Sequence, residues 1–504
     1  MTDPVLIAGG LVLVGEPPEA RPADILADAG RIVAVEPAGT IDPSSARPLD
    51  ASDRLVVPGL VNGHTHGHGA LAKGQVADRS PLEVFLTAAG GFGGSRTLDD
   101  KRLTAELTAV ELVRRGCTTA LDMFGEVPVP SVEGMSAVAE AYETVGMRAV
   151  IAPMMADRTL FQAIPGLLDS LPEPYREKAR AMATAPTEDT LAGLEAVLKG
   201  WSFDRERLRP GVAPTIPLHC SDAFMQGCAR LAEDHGTILQ THLAETKTQN
   251  LKGRERYGHS LTAHLEGLGL LTERFSAAHG IWLDGEDMAR LGAHGCGVVH
   301  NPMSNLRLGS GVAQARRLKE AGVRLGVGTD ASNTSDGQNM VEATRLAAYL
   351  SRLCDPDPAR WLDAAEAFEA ATVGSASILG FERVGRLAPG WAADMVFLDL
   401  AHVTYTPLRA PLLQMVFGES GAAIRSVMIA GRMVLEEGRM LTVDEARLRA
   451  RAGEAAARLE AANAEAIRGA EAMADLVGCF CLGQARRPCG LARTVWEGGE
   501  IDPG

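Results

Sequence analysis

The stretch Leu60-Val61-Asn62-Gly63-His64-Thr65-His66 begins as a β-prone apolar run and ends in two histidines two positions apart. Side chains two apart on a strand project to the same face, so both imidazoles point the same way. If the strand belongs to a closed parallel barrel, that face is the interior, near the rim where catalytic groups gather. Seven further runs share its texture: Cys117–Phe124, Arg148–Met155, Arg209–Thr215, Thr237–Leu243, Ser276–Leu283, Gly297–Asn301 and Arg324–Thr329. Between them lie stretches of helical period, among them Lys101–Arg115, Glu133–Val145, Asp222–Asp234, Gly285–Ala293 and Val312–Ala321. Eight βα repeats over roughly 300 residues fit a (β/α)8 TIM barrel better than an open doubly wound sheet.

Outside this region the texture changes. Val5–Ile7, Leu11–Val14, Ile25–Ala27, Arg31–Val35 and Leu55–Val57 are short strands broken by Gly, Pro and Asp, and the same character returns at Met395–Leu400 and Ser426–Val434. The two chain ends are expected to combine into one small β-sandwich. The expected division is 1–57 and 383–443 for that sandwich, 58–382 for the barrel and 444–504 for a C-terminal helical tail. In the tail, Asp444–Leu476 reads as a long helix with Asp444 as its N-cap, and Gly478–Gly504 as irregular.

The bulk numbers exclude several classes of function. The 504 residues carry 49 Lys+Arg against 64 Asp+Glu, a net charge of −15, which disfavours nucleic acid and anionic lipid as partners. No apolar run approaches the ~20 residues that span a bilayer. Met1–Val14 reads as a strand and turn, with no basic residue to make a signal peptide. A cytoplasmic protein is expected. The eight cysteines form no framework and read as reduced thiols, Cys479, Cys481 and Cys489 being a weak metal candidate.

The chemistry-bearing residues fall on strand ends. His64 and His66 close the first strand, His242 ends the fifth, His279 lies in the sixth, and Asp330 follows the eighth. Three imidazoles and a carboxylate suit zinc or Fe(II) with an open position for water. Glu245, just past the fifth strand, is placed to shuttle protons over the ion. His279 could ligate or could hold the water. Each residue alone has a blander reading: a core histidine, a helix cap at Asp330, or a solvated charge at Glu245. Their coincidence on the rim of one barrel favours the site. His68 and His219 face the expected cavity as substrate contacts, and His300 is placed to orient the seventh strand end. The Gly90–Gly94 run reads as a flexible lid segment. His-Glu-x-x-His, phosphate-loop and Cys-x-x-Cys motifs are missing from the sequence.

Taken together, 58–66 (Pro-Gly-Leu-Val-Asn-Gly-His-Thr-His), Thr241-His242-Leu243-Ala244-Glu245, Ala278-His279-Gly280, the run from His300-Asn301-Pro302 to Gly311, and Gly328-Thr329-Asp330 resemble the amidohydrolase superfamily. The branch is similar to S-adenosylhomocysteine/methylthioadenosine deaminases, guanine deaminases and triazine hydrolases. This resemblance implies His64, His66, His242 and Asp330 as metal ligands, Glu245 as proton shuttle, and His279 as the residue that steadies the hydrolytic water. Binuclear relatives carry a modified lysine on the fourth strand. Leu208–Asp222 has none, so one divalent ion is expected, zinc first and Fe(II) second. Where adenosine-type deaminases carry a histidine after the fourth-strand proline, this chain has Pro214-Thr215. Thr215 and Gln338 therefore join His68 and His219 as expected substrate contacts.

The expected activity is hydrolytic deamination of an amino-substituted N-heterocycle (purine, pyrimidine, pterin or triazine-like). Asp330 and His279 would hold the nucleophile while Glu245 moves the proton. Loss of chloride or alkylamine from a triazine-like ring, and hydrolysis of a urea, carbamate or amide, remain alternatives that use the same site. An inactive barrel is the non-enzyme alternative, disfavoured because every expected position is filled. A homodimer is expected.

Overall fold

The computed structural model describes residues 4–335 and 337–495. Eight parallel strand positions build a barrel in two halves. The first half runs Leu60–Thr65, Cys117–Gly125, Arg148–Met155 and a split fourth strand, Leu208–Pro210 with Ala213–Pro214. The second runs Leu239–Leu243, Phe275–His279, Gly297–His300 and Arg324–Val327. Nearly every residue of these strands is buried, as expected of parallel strands enclosed by helices.

The seams between the halves are short. The fourth strand breaks where Gly211 N–H still bonds to Ile151 O while Val212 N–H turns to Ile238 O. The chain there leaves the third strand for the fifth, and an isolated Val212–Leu239 bridge joins the halves. At the other seam Asp330 N–H donates to His64 O at 3.0 Å. Helices such as Leu98–Arg114, Val132–Val145 and Asp222–Asp234 surround the barrel, the first opened by a capping box at Thr97 and Asp100.

The two chain ends form a single nine-stranded sheet. In order, the strands are Arg439–Met440, Arg432–Glu436, Ile424–Ile429, Met395–Asp399, Arg54–Pro58, Val5–Val14, Glu19–Asp28 and Arg31–Pro37, with Arg47–Asp50 pairing beside Val5–Val14. Val5–Val14 is irregular between Ile7 and Gly10, so its first half pairs with Arg47–Asp50 and its second with Arg54–Pro58. Arg54–Pro58 lies antiparallel to Met395–Asp399, which stitches the start of the chain to its later part.

The C-terminal helix runs Glu445–Ala485, capped by the Asp444 carboxylate on the N–H groups of Ala446 and Arg447. It continues past Leu476, through Gly478 and both Cys479 and Cys481, where irregular chain was expected. Those cysteines are free, Cys479 exposed and Cys481 buried, and with Cys489 they form no metal-capable group among the described residues. The helix lies across the barrel's C-terminal rim. A Cβ on Gly91 would sit 2.8 Å from Ile467 Cα, and one on Gly94 would sit 2.6 Å from Asn463 Oδ1. The glycine run expected to be a mobile lid is therefore a close-packing seat for this helix. Among the described residues, no helix is long and apolar enough to cross a membrane.

Candidate metal centre and active site

Each imidazole of the cluster is oriented by its Nδ1. His66 Nδ1 lies 2.7 Å from Met123 O, and His242 Nδ1 lies 2.5 Å from Thr215 O. A carbonyl only accepts, so both Nδ1 atoms carry a proton, and in the neutral ring it is Nε2 that presents the lone pair. His64 Nδ1 lies 2.7 Å from Gln240 Oε1, the Gln240 amide being fixed because its Nε2 donates to Gly63 O and Ser276 Oγ. His279 Nδ1 lies 2.8 Å from Asn305 Oδ1.

Four bare Nε2 atoms therefore face one point. Those of His66 and His242 are only 3.1 Å apart, lone pair against lone pair. Those of His64 and His279 are buried with no hydrogen-bond partner. Asp330 Oδ1 lies 3.4 Å from His66 Nε2 and 3.7 Å from His64 Nε2, and Asp330 Oδ2 lies 3.8 Å from His279 Nε2. Donor atoms of His64, His66 and His242, and of His64, His279 and Asp330, fall within 4.8 Å of one another. Burial disfavours the charged form of three of these rings: it pushes His64 down to about 3, with His66 adding to the shift, and drives His242 and His279 down as well. Converging lone pairs beside a carboxylate repel one another unless a cation sits among them. Two ligands of a tetrahedral zinc with Zn–N near 2.0 Å stand about 3.3 Å apart. The donor set fits a divalent ion.

Supporting groups hold the carboxylate. Asp330 Oδ2 accepts from Ser304 Oγ at 2.5 Å, and Oδ1 from Ala331 N–H at 2.7 Å. Asp330, His279 and Ala244 have left-handed backbones, with φ of 62°, 73° and 50°. Non-glycine residues held in that region cluster at functional sites. The turn at Ala244 sends Glu245 inward, and its Oε1 lies 3.7 Å from His279 Nε2. Burial, with Asp330 and Glu83 nearby, raises the Glu245 carboxyl well above its ordinary range. Gln249 Oε1 receives Glu245 N–H at 3.0 Å.

The other expected residues divide. His68 is half-buried beside His66, ring centroids 5.3 Å apart, and its Nδ1 accepts from Gly125 N–H, which leaves Nε2 as the protonated nitrogen. His219 is half-buried in the turn Pro217–His219 after the fourth strand, burial bringing it down to about 4. Thr215 is half-buried, and its carbonyl holds both N–H groups of His242, from backbone and ring. Gln338 is corrected. It is 1% exposed, and its amide is bonded to Thr65 Oγ1, Thr329 Oγ1 and Asp330 O, so it braces the ligand strands from behind and does not face the cavity. His300 is buried with Nδ1 3.5 Å from Asn305 Nδ2, next to the group that orients His279.

Sequence reasoning did not single out Gln240, Ser304 and Asn305 as orienting groups. Gln240 was within reach, since it shares a strand face with His242 two positions on.

The amidohydrolase family profile matches residues 55–434. A 5-methylthioadenosine/S-adenosylhomocysteine deaminase of Syntrophobacter fumaroxidans is 31% identical over 455 residues, spanning 89% of this chain and 97% of that one. A solved adenosine deaminase from Xanthomonas campestris with bound zinc superposes with a TM-score of 0.79 at 28% identity, over 91% of this chain and 98% of its own. Zinc-bound atrazine chlorohydrolase from Arthrobacter aurescens gives 0.79 at 25% identity, over 90% and 100%. The geometry at the barrel mouth and the length of the match agree: this chain belongs to the amidohydrolase family.

Proposed function

We propose that this chain is a zinc-dependent aminohydrolase that releases ammonia from an amino-substituted N-heterocycle, a purine-like ring above all. One observation carries the reading: four imidazoles aim their Nε2 atoms at a single point beside Asp330, with a buried carboxyl, Glu245, at its edge. The names of the relatives, deaminases of adenine-bearing compounds, support the ring class. His64, His66, His242 and Asp330 would hold one ion, and Fe(II) suits the same donors. The fourth strand and the turn after it carry no lysine to bridge a second.

A bound divalent ion would acidify water and spread negative charge during attack. The chain's own groups do the rest. Asp330 and His279 accept hydrogen bonds from the attacking water and fix its direction toward the ring carbon bearing the amine. Glu245 takes a proton from that water and delivers it to the adjacent ring nitrogen, so the carbon can accept the oxygen's electron pair. The proton left on the attacking oxygen then passes to the exocyclic nitrogen, the C–N bond breaks as the oxygen becomes a carbonyl, and ammonia leaves. The raised affinity of Glu245 for a proton suits a group that must both take and give one. The Nε2–H of His68 and the ring of His219 supply polar contacts to the heterocycle, and Thr215 contributes at the pocket edge while its carbonyl steadies His242.

Glu245→Gln tests the assignment. The variant should keep its zinc by elemental analysis and lose activity by about 10²- to 10⁴-fold, measured as ammonia released from a panel of heterocycles. Near-normal turnover in that variant would overturn the role. Chloride release from a chlorotriazine without ammonia from any aminated ring would instead favour the dehalogenating alternative that the chlorohydrolase likeness suggests.

A further inference from the structure

We propose that Arg493 is a positioning residue for the two strand ends that carry Glu245 and His279, an inference that rests on the aminohydrolase reading of the site. Arg493 is 7% exposed. Its guanidinium donates to Ile281 O from Nε at 2.8 Å, to Leu283 O from Nη2 at 2.6 Å and to Ala492 O from Nη1 at 2.9 Å. Its own carbonyl receives Val312 N–H at 2.8 Å. Ile281–Leu283 directly follow His279 and Gly280.

The same short segment also holds the other strand end. Gly280 N–H donates to Leu243 O at 3.1 Å, while Ile281 and Trp282 N–H both donate to Ala244 O, at 3.2 and 2.8 Å. Ala244 is the left-handed residue that turns Glu245 inward, and His279 is left-handed too. Such backbones persist only where their surroundings over-determine them. The guanidinium therefore clamps one side of a segment whose other side pins the turn before Glu245. A single long side chain braces two of the three groups that handle the water.

The long helix brings Arg493 there. Arg451 Nη2 meets Asp99 Oδ1 at 2.8 Å, Arg458 pairs with Asp100, Asn463 Nδ2 donates to Gly94 O at 3.1 Å, and Lys247 Nζ donates to Ala485 O at 2.8 Å. Asp99, Asp100 and Gly94 follow the first barrel strand, and Lys247 follows the fifth. The tail thus runs along the rim that carries the chemistry, beyond residue 434 where the family match stops. The proposed metal-holding residues are left alone: His64 sits on the first strand and His66 directly after it, His242 precedes Ala244, and Asp330 is held by Ser304 and Ala331.

This separation yields a test with the zinc-loaded full chain and its Arg493→Ala and Arg493→Lys variants. Arg493→Ala should retain the parent's zinc content, lose about 10- to 100-fold in kcat and keep KM within about threefold, because misplacing reacting groups costs rate rather than binding. Amide exchange at Gly280, Ile281 and Trp282 should quicken at least about tenfold. Arg493→Lys, which keeps one donor head but not the fork, should recover part of both losses. Unchanged exchange at these amides, or faster exchange with unchanged kcat, overturns the proposal. If Arg493→Ala does not fold, Arg493→Lys carries the same readouts and must show a partial loss. Should the parent deaminate none of the heterocycles, the functional reading fails by itself, and exchange still reports whether the brace exists.

Discussion

Replacing Gly328 by alanine probes how the barrel seam fixes the ligand geometry. An added Cβ would lie 2.9 Å from both His64 N and His64 O, and 2.4 Å from Asn301 Oδ1. Ordinary contact begins near 3.4 Å, so the first and eighth strands would have to part by about 0.5 Å, backbone against backbone, at a site where overpacking costs about 1–3 kcal/mol. The Asp330 N–H to His64 O bond, now 3.0 Å, would stretch to about 3.5 Å, the outer limit of a hydrogen bond. Those strands carry His64 and His66 on one side and Asp330 on the other, and ligand distances tolerate only about ±0.2 Å. Zinc affinity should fall by about 10- to 100-fold, the scale on which disturbed ligand support acts. Competition against a chromophoric chelator measures this, with thermal melting of the metal-free protein read alongside. Affinity within twofold of the parent, with an unchanged melting temperature, would refute the idea that this seam sets the site.

Gln240→Ala removes the acceptor that orients His64 and leaves a buried ring N–H unpaired. Zinc affinity by the same competition should drop about 10- to 100-fold, whereas a bystander glutamine would leave it unchanged. Glu366 offers a pH test. Burial would raise its carboxyl, but hydrogen bonds from Arg316 and Lys319 and the Asp363 N–H outweigh this and hold it down to about 2. A carboxyl lowered on folding stabilises fully above its unfolded value near 4.5, and that share fades as pH falls toward 2. Urea unfolding should show Glu366→Gln weaker than the parent by about 2 kcal/mol at pH 7 once partial exposure is counted, with the gap closing near pH 2. A gap independent of pH would sink the account.

Much of the barrel was legible because its strands are buried on both faces and separated by helices of clear period. Cys117–Gly125, Arg148–Met155 and Asp222–Asp234 stand almost where the sequence places them. The metal cluster was legible for a similar reason: His-x-His and the strand-end positions of His242, His279 and Asp330 follow from alternation and topology. What was hidden depends on backbone turns and distant partners. The left-handed turn at Ala244 has no glycine to announce it, so Glu245's inward course could be argued but not read. Gln338 looks like a pocket residue in a polar loop, yet the hydroxyls of Thr65 and Thr329, 273 and 9 positions away in the chain, occupy its amide oxygen. Gly478 and Gly483 suggest a helix stop. Each costs only about 1 kcal/mol relative to alanine, and Met473, Val477 and Cys481, buried against the barrel, offset that cost. Arg493 carries no local signal at all.

The order in which the chain is made gives that last contact a further meaning. Arg493 lies 212 and 210 positions after the carbonyls it clasps, so the barrel can close before the clasp arrives. A nascent chain halted after the eighth strand would already hold every residue able to capture the ion, while the rim that aims water at the ring would still be loose. On the proposed role of Arg493, translation would then deliver an ion-binding but slow precursor first, and full turnover only once the tail has seated.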